Sequence, residues 1–354
     1  MIVAKFILSH YTKSHFIKTG RKDGNSTYFY KDGDQYLVSR MSNYIYGKFP
    51  DGSIQMYMEH GAPGFNIDEA LYKNGNFIKL LTTCSRENTN DTGFEDPRCI
   101  KWNDRQYIMF NRRNPHNFGL VQMHLGEIDE NLNYVNDKTL PNLIQIEKNW
   151  QPIEIMPGEC IYSYKPFKLV NVFTNKFREL PNAVDINYRG SSQIIKYGEN
   201  MLGIVHIRNE AFEYLHYLIL FDKNLNILKI SDPFSFFGAN VEFVAHIEYN
   251  EGLKILLNLH DQLIYEFTLP NETIDTILDK RLDNIEQDNK IFTKFYSDAL
   301  ANGNEFAALG LATFSYDSDV LEDAIPRNHN TPFFRGKSRQ DIQTVLISNY
   351  WRGV

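Results

Sequence analysis

One pattern recurs along this 354-residue chain and restricts its fold more than any other: an alternating apolar run, a tight polar turn, then a second alternating run. Period-two alternation sends successive side chains to opposite faces of a strand, and Gly, Asn and Asp between two such runs are hairpin signals. The pattern falls at Asp51-Gly52 (YGKFPDGSIQMYME), Asn103-Asp104 (CIKWNDRQYIMF), Pro157-Gly158 (IEIMPGECIYSY), Tyr197-Gly198 (QIIKYGENMLGIVHI) and Asn250-Glu251 (AHIEYNEGLKILLNL). Secondary hairpins lie between them, as in GEIDENLNYVN and LILFDKNLNILKI. Successive primary turns are roughly 40 to 55 residues apart, the length of one four-stranded sheet per repeat. Five such sheets are buried most economically as blades around a central axis, which keeps their edges short and protected; a sandwich is the competing architecture.

The expected fold is therefore all-β, a five-bladed β-propeller with a C-terminal helical extension. The propeller catalytic domain is assigned to residues 1–270, with blades from roughly 25 to 270, and the extension to residues 271–354. Past Pro270 the apolar spacing turns helical, from Ile274 and Ile277 through Tyr296, and it stops at Asn302-Gly303. A further short helix is expected around Tyr350 and Trp351, whose rings serve either packing or a sugar platform.

Composition supports strands: Tyr and Phe number 21 and 25, and aromatic residues suit a pleated, half-buried surface. A net charge of −7 argues against a nucleic-acid partner, and no lysine-rich block suits an anionic membrane. Three cysteines, Cys84, Cys99 and Cys160, have no close pairing, which favours a reducing, cytoplasmic setting over a disulfide framework. No stretch approaches the ~18 apolar residues of a spanning helix, so no transmembrane segment is expected. The Asn-x-Ser/Thr triplets at Asn25, Asn90 and Asn271 are read as chance. The histidines are scattered without metal-ligand spacing, GSS at Gly190 to Ser192 lacks the setting of a nucleophilic serine, and YKNGN and KYGEN read as turns. No cofactor is called for, and the oligomeric state is left open.

The stretch with the densest chemistry is GFEDPRCIKWNDRQYIMFNRR, from Gly93. Pro97 fixes its own φ and biases Asp96 away from helix, and Arg98, two residues on, is expected on the same side of the strand as Asp96. This stretch resembles the signature strand of five-bladed propellers that include the mannoside phosphorylases of glycoside hydrolase family 130 and the glycosyltransferases related to them. Further segments fall in the same order as in that superfamily: IEKNWQPIEIMPGECIYSYKP, YRGSSQIIKYGENMLGIVHI, GANVEFVAHIEY and LLNLHDQLIYEF. The resemblance spans roughly residues 35 to 270.

The resemblance implies that Asp96 is the proton donor, that Arg98 shares its motif, that His206 lies near the anion site and that Asp261 holds the substrate sugar. Where the phosphorylases carry a phosphate-binding arginine after the third-blade proline, this chain has Ile153, which weighs against phosphate as the attacking group. Lys148, Arg189 and Arg208 are the cations available to a nucleotide-sugar diphosphate. Glu95 and Glu242 are candidate second carboxylates; an inverting reaction with water needs acid and base about 6.5 to 9.5 Å apart. Asn149 adjoins Lys148, and Trp150, Tyr162 and Tyr164 either stack on sugar rings or pack between blades. The catalytic set is thus Asp96, Glu95 and Asp261; the binding set is Arg98, Lys148, Asn149, Trp150, Tyr164, Arg189, His206 and Glu242. The leading expectation is transfer of a mannose-like hexose from an activated donor to a hydroxyl of a saccharide or glycan acceptor. A hydrolase or phosphorylase acting on β-mannosides is the first alternative, and a non-catalytic glycan-binding propeller the second.

Overall fold

A computed structural model describes residues 6–8, 14–16, 23–42, 44–48, 54–58, 67–83, 92–181, 184, 186–208, 214–236, 244–259 and 263–279. Two short strands, β1 (Phe6–Leu8) and β2 (Ser14–Phe16), precede the first blade. That blade is β3 (Asp23–Lys31) and β4 (Asp34–Ser42), then, after a separate hairpin β5 (Tyr44–Lys48) and β6 (Ile54–Met58), β7 (Ile67–Lys73) and β8 (Asn76–Thr82). The second blade is β9 (Phe94–Trp102), β10 (Arg105–Asn114), β11 (Asn117–Ile128) and β12 (Tyr134–Thr139). The third is β13 (Gln151–Pro152), β14 (Glu159–Tyr164), β15 (Phe167–Asn171) and β16 (Lys176–Glu179).

In the fourth, β17 (Arg189–Gly190) and β18 (Ile195–Tyr197) share the inner position beside β19 (Asn200–Arg208). It continues through β20 (Tyr214–Phe221) to β21 (Ile227–Ile230) and β22 (Phe234–Phe236). The fifth is β23 (Val244–Tyr249), β24 (Leu253–Leu259) and β25 (Leu263–Leu269). The N-terminal strands complete the ring: β2 pairs antiparallel with β25 as the outer strand of the fifth blade, and β1 pairs parallel with β22 of the fourth.

The expected five-bladed propeller is the observed fold, with one correction to how its hairpins were counted. The turns at Asn103-Asp104, Pro157-Gly158, Tyr197-Gly198 and Asn250-Glu251 each join the two inner strands of a blade. Asp51-Gly52 lies outside the described residues, in the stretch between β5 and β6, which pair with each other as a separate two-stranded sheet among the described residues. The inner turn of the first blade is Asp32-Gly33, where φ is +53° and +82°, values that match a primed hairpin turn. After the ring, α1 (Asn271–Leu278) buries Ile274, Ile277 and Leu278. The remainder of the expected extension, with Tyr350 and Trp351, lies outside the described residues.

Blades bury both faces, so their strands carry apolar residues at successive positions rather than every second one. On β4, Tyr36 and Val38 join Phe94, Ile108 and Phe110 of the second blade, whereas Leu37 joins Leu256 and Ile264 of the fifth. Met109 turns the other way, toward Trp150, Cys160 and Val170 of the third blade. The third and fourth blades meet through Ile161, Tyr164 and Phe167 against Tyr188, Val205 and Tyr217.

A candidate active-site cleft

Asp96 and Pro97 together oppose Phe110 alone, because the β9–β10 register skips between Met109 and Asn111. Proline has no N–H to give the ladder, and a bulge there accommodates it. Asp96 adopts φ +55°, a left-handed conformation that costs a non-glycine residue about 1 kcal/mol or more. The bulge corrects one expectation. Simple alternation from Asp96 to Arg98 is interrupted, and Arg98, opposite Met109, follows the register of Glu95, opposite Asn111.

The Asp96 carboxylate is tied down on every side. Asn25 Nδ2 donates to Oδ1 at 2.5 Å, Asn111 Nδ2 donates to Oδ2 at 2.9 Å, and the Arg40 guanidinium lies 3.5 Å from Oδ1. Burial alone would raise its pKa, but Arg40, the Asn25 hydrogen bond, Lys148 and Arg98 hold it below the usual carboxylate range. Glu95, the next residue, behaves oppositely: burial and the Asp96 charge push it up to about 6. Among the described residues, no group donates a hydrogen bond to the Glu95 carboxylate. Two adjacent carboxyls thus have pKa values driven apart, the pattern that separates acid–base roles.

Glu95 opens into a cleft of about 560 Å³ where the second, third and fourth blades meet. Arg113 of β10, Lys148 and Asn149 of the loop before β13, Arg189 of β17 and Arg208 of β19 line the same cleft. No ion pair joins Lys148 or Arg189 to a carboxylate among the described residues. Gly190 lets blade three approach: a Cβ there would lie 2.4 Å from the Asn149 carbonyl oxygen. The loop is shaped by Glu147, 1% exposed, whose carboxylate accepts from Leu143 N, Ile144 N, Tyr162 Oη and Trp150 Nε1.

Arg98 is buried and donates Nη2 to Gly190 O at 3.2 Å and Nη1 to Ser191 O, linking the second blade to the fourth. Burial lowers its pKa to about 10, and it faces carbonyls rather than the cleft. Trp150 is fully buried against Met109, Cys160 and Val170, so its ring packs between blades and has no face for a sugar. Tyr164 lines the cleft, but its ring is buried and its hydroxyl donates to Gln151 Oε1 at 2.6 Å. His206 is fully buried with Nδ1 2.6 Å from Ser191 Oγ. Burial first, then His216, Arg189, Lys148 and Arg98, hold it well below the histidine range, so it brings no positive charge to an anion. Ile153 is core, bridged to Ile194. Asp261 and Glu242 lie outside the described residues.

Sequence reading passed over Asn25, Arg40, Asn111, Arg113 and Glu147. Asn25, which heads an Asn-x-Thr triplet, is 4% exposed and donates to Asp96. The available signal was Arg40, a charge inside the apolar strand DQYLVSRMS, which demands a buried partner.

A second cavity of about 720 Å³ opens at the far mouth of the channel, where the inner strands end at Tyr30, Lys101 and Tyr249. One cluster of its polar groups is internally engaged: Glu248 Oε1 accepts from Tyr30 Oη at 2.6 Å and lies 3.0 Å from His246 Nε2, and Lys254 pairs with its other oxygen. No helix among the described residues is long and apolar enough to cross a membrane.

No protein-family model matches the chain, and no curated protein matches it in sequence. Solved structures do resemble it. One is a β-1,2-mannobiose phosphorylase from Listeria innocua, determined with β-1,2-mannobiose, 14% identical with a TM-score of 0.52 over 77% of this chain and 95% of the other. Another is a glycosyl hydrolase from Bacteroides ovatus, 10% identical with a TM-score of 0.50 over 71% of this chain and 85% of the other. At such identities the likeness is one of fold: this chain has the propeller on which those carbohydrate-active enzymes are also built.

Proposed function

We propose that this chain is a glycosyltransferase that moves a mannose-like hexose from a donor with an anionic leaving group to a hydroxyl of a saccharide acceptor. The observation that carries the reading is that Arg113, Lys148, Arg189 and Arg208 line one cleft with Glu95, a carboxyl to which no described group donates a hydrogen bond. In the reaction, the bond from the anomeric carbon to the leaving phosphate oxygen breaks and the phosphate keeps the electron pair. The acceptor oxygen forms the new bond, and its proton passes to Glu95. Cations stabilise the departing charge through charge-assisted hydrogen bonds. An anionic leaving group needs no proton, so one base suffices, and a carboxyl poised near 6 is a better base at neutral pH than the tightly held Asp96. Asp96 acts on Glu95 as a positioning charge. The shared fold with a β-1,2-mannobiose phosphorylase supports a saccharide in the cleft.

The same fold likeness favours a second reading, hydrolysis or phosphorolysis of a β-mannoside, in which Glu95 must be protonated to release a sugar hydroxyl. The direction of the pH profile separates the two. Purified protein is assayed with nucleotide sugars and hexose 1-phosphates against manno-oligosaccharide acceptors, and with manno-oligosaccharides in water and in phosphate. Transfer predicts kcat/KM that is full above the Glu95 pKa and falls as pH drops through about 6. Glu95→Gln should lose that limb and about 10²-fold or more in rate. Sugar release in water or phosphate, with activity falling as pH rises through the same range, overturns transfer.

A further inference from the structure

Leu143, Ile144 and Ile146 are 53%, 58% and 51% exposed, three large apolar side chains within four residues. They are not a frayed loop. Besides the two backbone N–H groups held by Glu147, Val121 N donates to Gln145 O and Glu147 N to Val121 O, both at 3.0 Å, and Val121 and Ile146 form a parallel bridge. Leu140 and Trp150, at the two ends of the same loop, are buried, so the fold has apolar residues both to hide and to show here. Single exposed apolar residues are ordinary, but a contiguous set beside a cleft marks a ligand-binding surface. Ile144 and Ile146 line the cleft itself, next to Lys148, Arg189 and Arg208. A free sugar phosphate would satisfy the cations and leave the isoleucines in water. An anionic head with a hydrocarbon tail satisfies both.

We infer that the donor's leaving group is a lipid-linked phosphate ester, its phosphate held by Lys148, Arg189 and Arg208 and its chain lying across Leu143, Ile144 and Ile146. This deepens the transfer reading and rests on it for the cationic cleft. The product side of the site is testable with simple alkyl phosphates below their aggregation range. Isothermal titration of the full chain should show hexyl phosphate binding about 10-fold or more tighter than methyl phosphate, since buried methylenes each add to affinity. Ile144→Asn/Ile146→Asn should bring that ratio near one, with thermal unfolding confirming that the variant is folded.

A ratio near one in the wild-type protein overturns the inference without any variant. If methyl phosphate binding is then still lost in Lys148→Ala/Arg189→Ala, the lipid tail alone has failed and the anion-holding cleft stands. If neither phosphate binds, both readings fall. Sedimentation showing a dimer that the isoleucine variant dissolves would assign the patch to a second copy. Co-sedimentation with phosphatidylglycerol vesicles, without chain-length selectivity for alkyl phosphates, would assign it to a membrane surface; either result overturns the inference.

Discussion

Asp96 occupies a left-handed backbone conformation with a proline behind it, and what holds it there is drawn from elsewhere in the chain: Asn25 and Arg40 of the first blade and Asn111 of the next strand. The carboxylate and the Arg40 guanidinium are both largely buried, so neutralising one leaves the other charge facing an uncharged amide in a poorly solvated site. Asp96→Asn is therefore expected to destabilise the fold by about 3 kcal/mol, read from urea unfolding. It should also move Glu95. Because the Asp96 charge adds to burial in raising Glu95, removing it lowers the Glu95 pKa, and the acidic limb of activity should shift to lower pH. A limb unchanged in Asp96→Asn would mean that another group controls it. Glu95, Asp96 and Pro97 were legible as a chemically loaded stretch, but their division of labour was not. It depends on a bulge and on partners up to 71 positions away, which spacing along one strand does not encode.

At the scale of elements, local turn chemistry identified four of the five inner hairpins. It erred at the first blade because two Asp-Gly pairs in the sequence, at Asp32 and Asp51, both sit between alternating runs, and only long-range pairing decides which joins a blade. The basic cleft was half visible for a similar reason. Lys148, Arg189 and Arg208 were noted as cations, whereas their convergence depends on how β17 packs against the loop before β13. Gly190 controls that packing, since its Cα faces the Asn149 carbonyl and the Gln151 side chain with no room for a Cβ. Gly190→Ala must push β17 away from the loop, with an expected loss of about 2 kcal/mol in stability. Lys148 and Arg189 would separate, so KM for an anionic donor should rise more than kcat falls. An equal fall in kcat and kcat/KM would instead point to damage at Glu95.

The whole ring is closed by a segment that carried no signal of its own. Three residues, Ser14–Phe16, are too short to show periodicity, so the blades were placed from about residue 25, yet they form the outer strand of the last blade. They pair Ser14 with Phe267, His15 with Glu266 and Phe16 with Tyr265, while Phe6–Leu8 runs alongside β22 of the fourth blade. One N-terminal stretch thus adds a tie across two blades that also meet directly, where Gln193 Nε2 donates to Ile247 O at 2.6 Å and Phe236 packs on Phe267. Without it β25 becomes an unprotected edge and the fifth blade is reduced to three strands. The cleft lies among the second, third and fourth blades, so its side chains would remain in place while the ring is weakened. Deleting residues 1–16 should lower unfolding stability by about 3 kcal/mol, at about 1 kcal/mol for each of a few lost ladder hydrogen bonds. Self-association through the bare edge should increase, visible as a concentration-dependent rise in apparent mass. Phosphate affinity in the cleft should fall only to the extent that the protein unfolds. A truncated chain of undiminished stability would show that the ring is held shut by other contacts between the first and fifth blades, such as those of Tyr28 and Leu37 with Leu256 and Ile264.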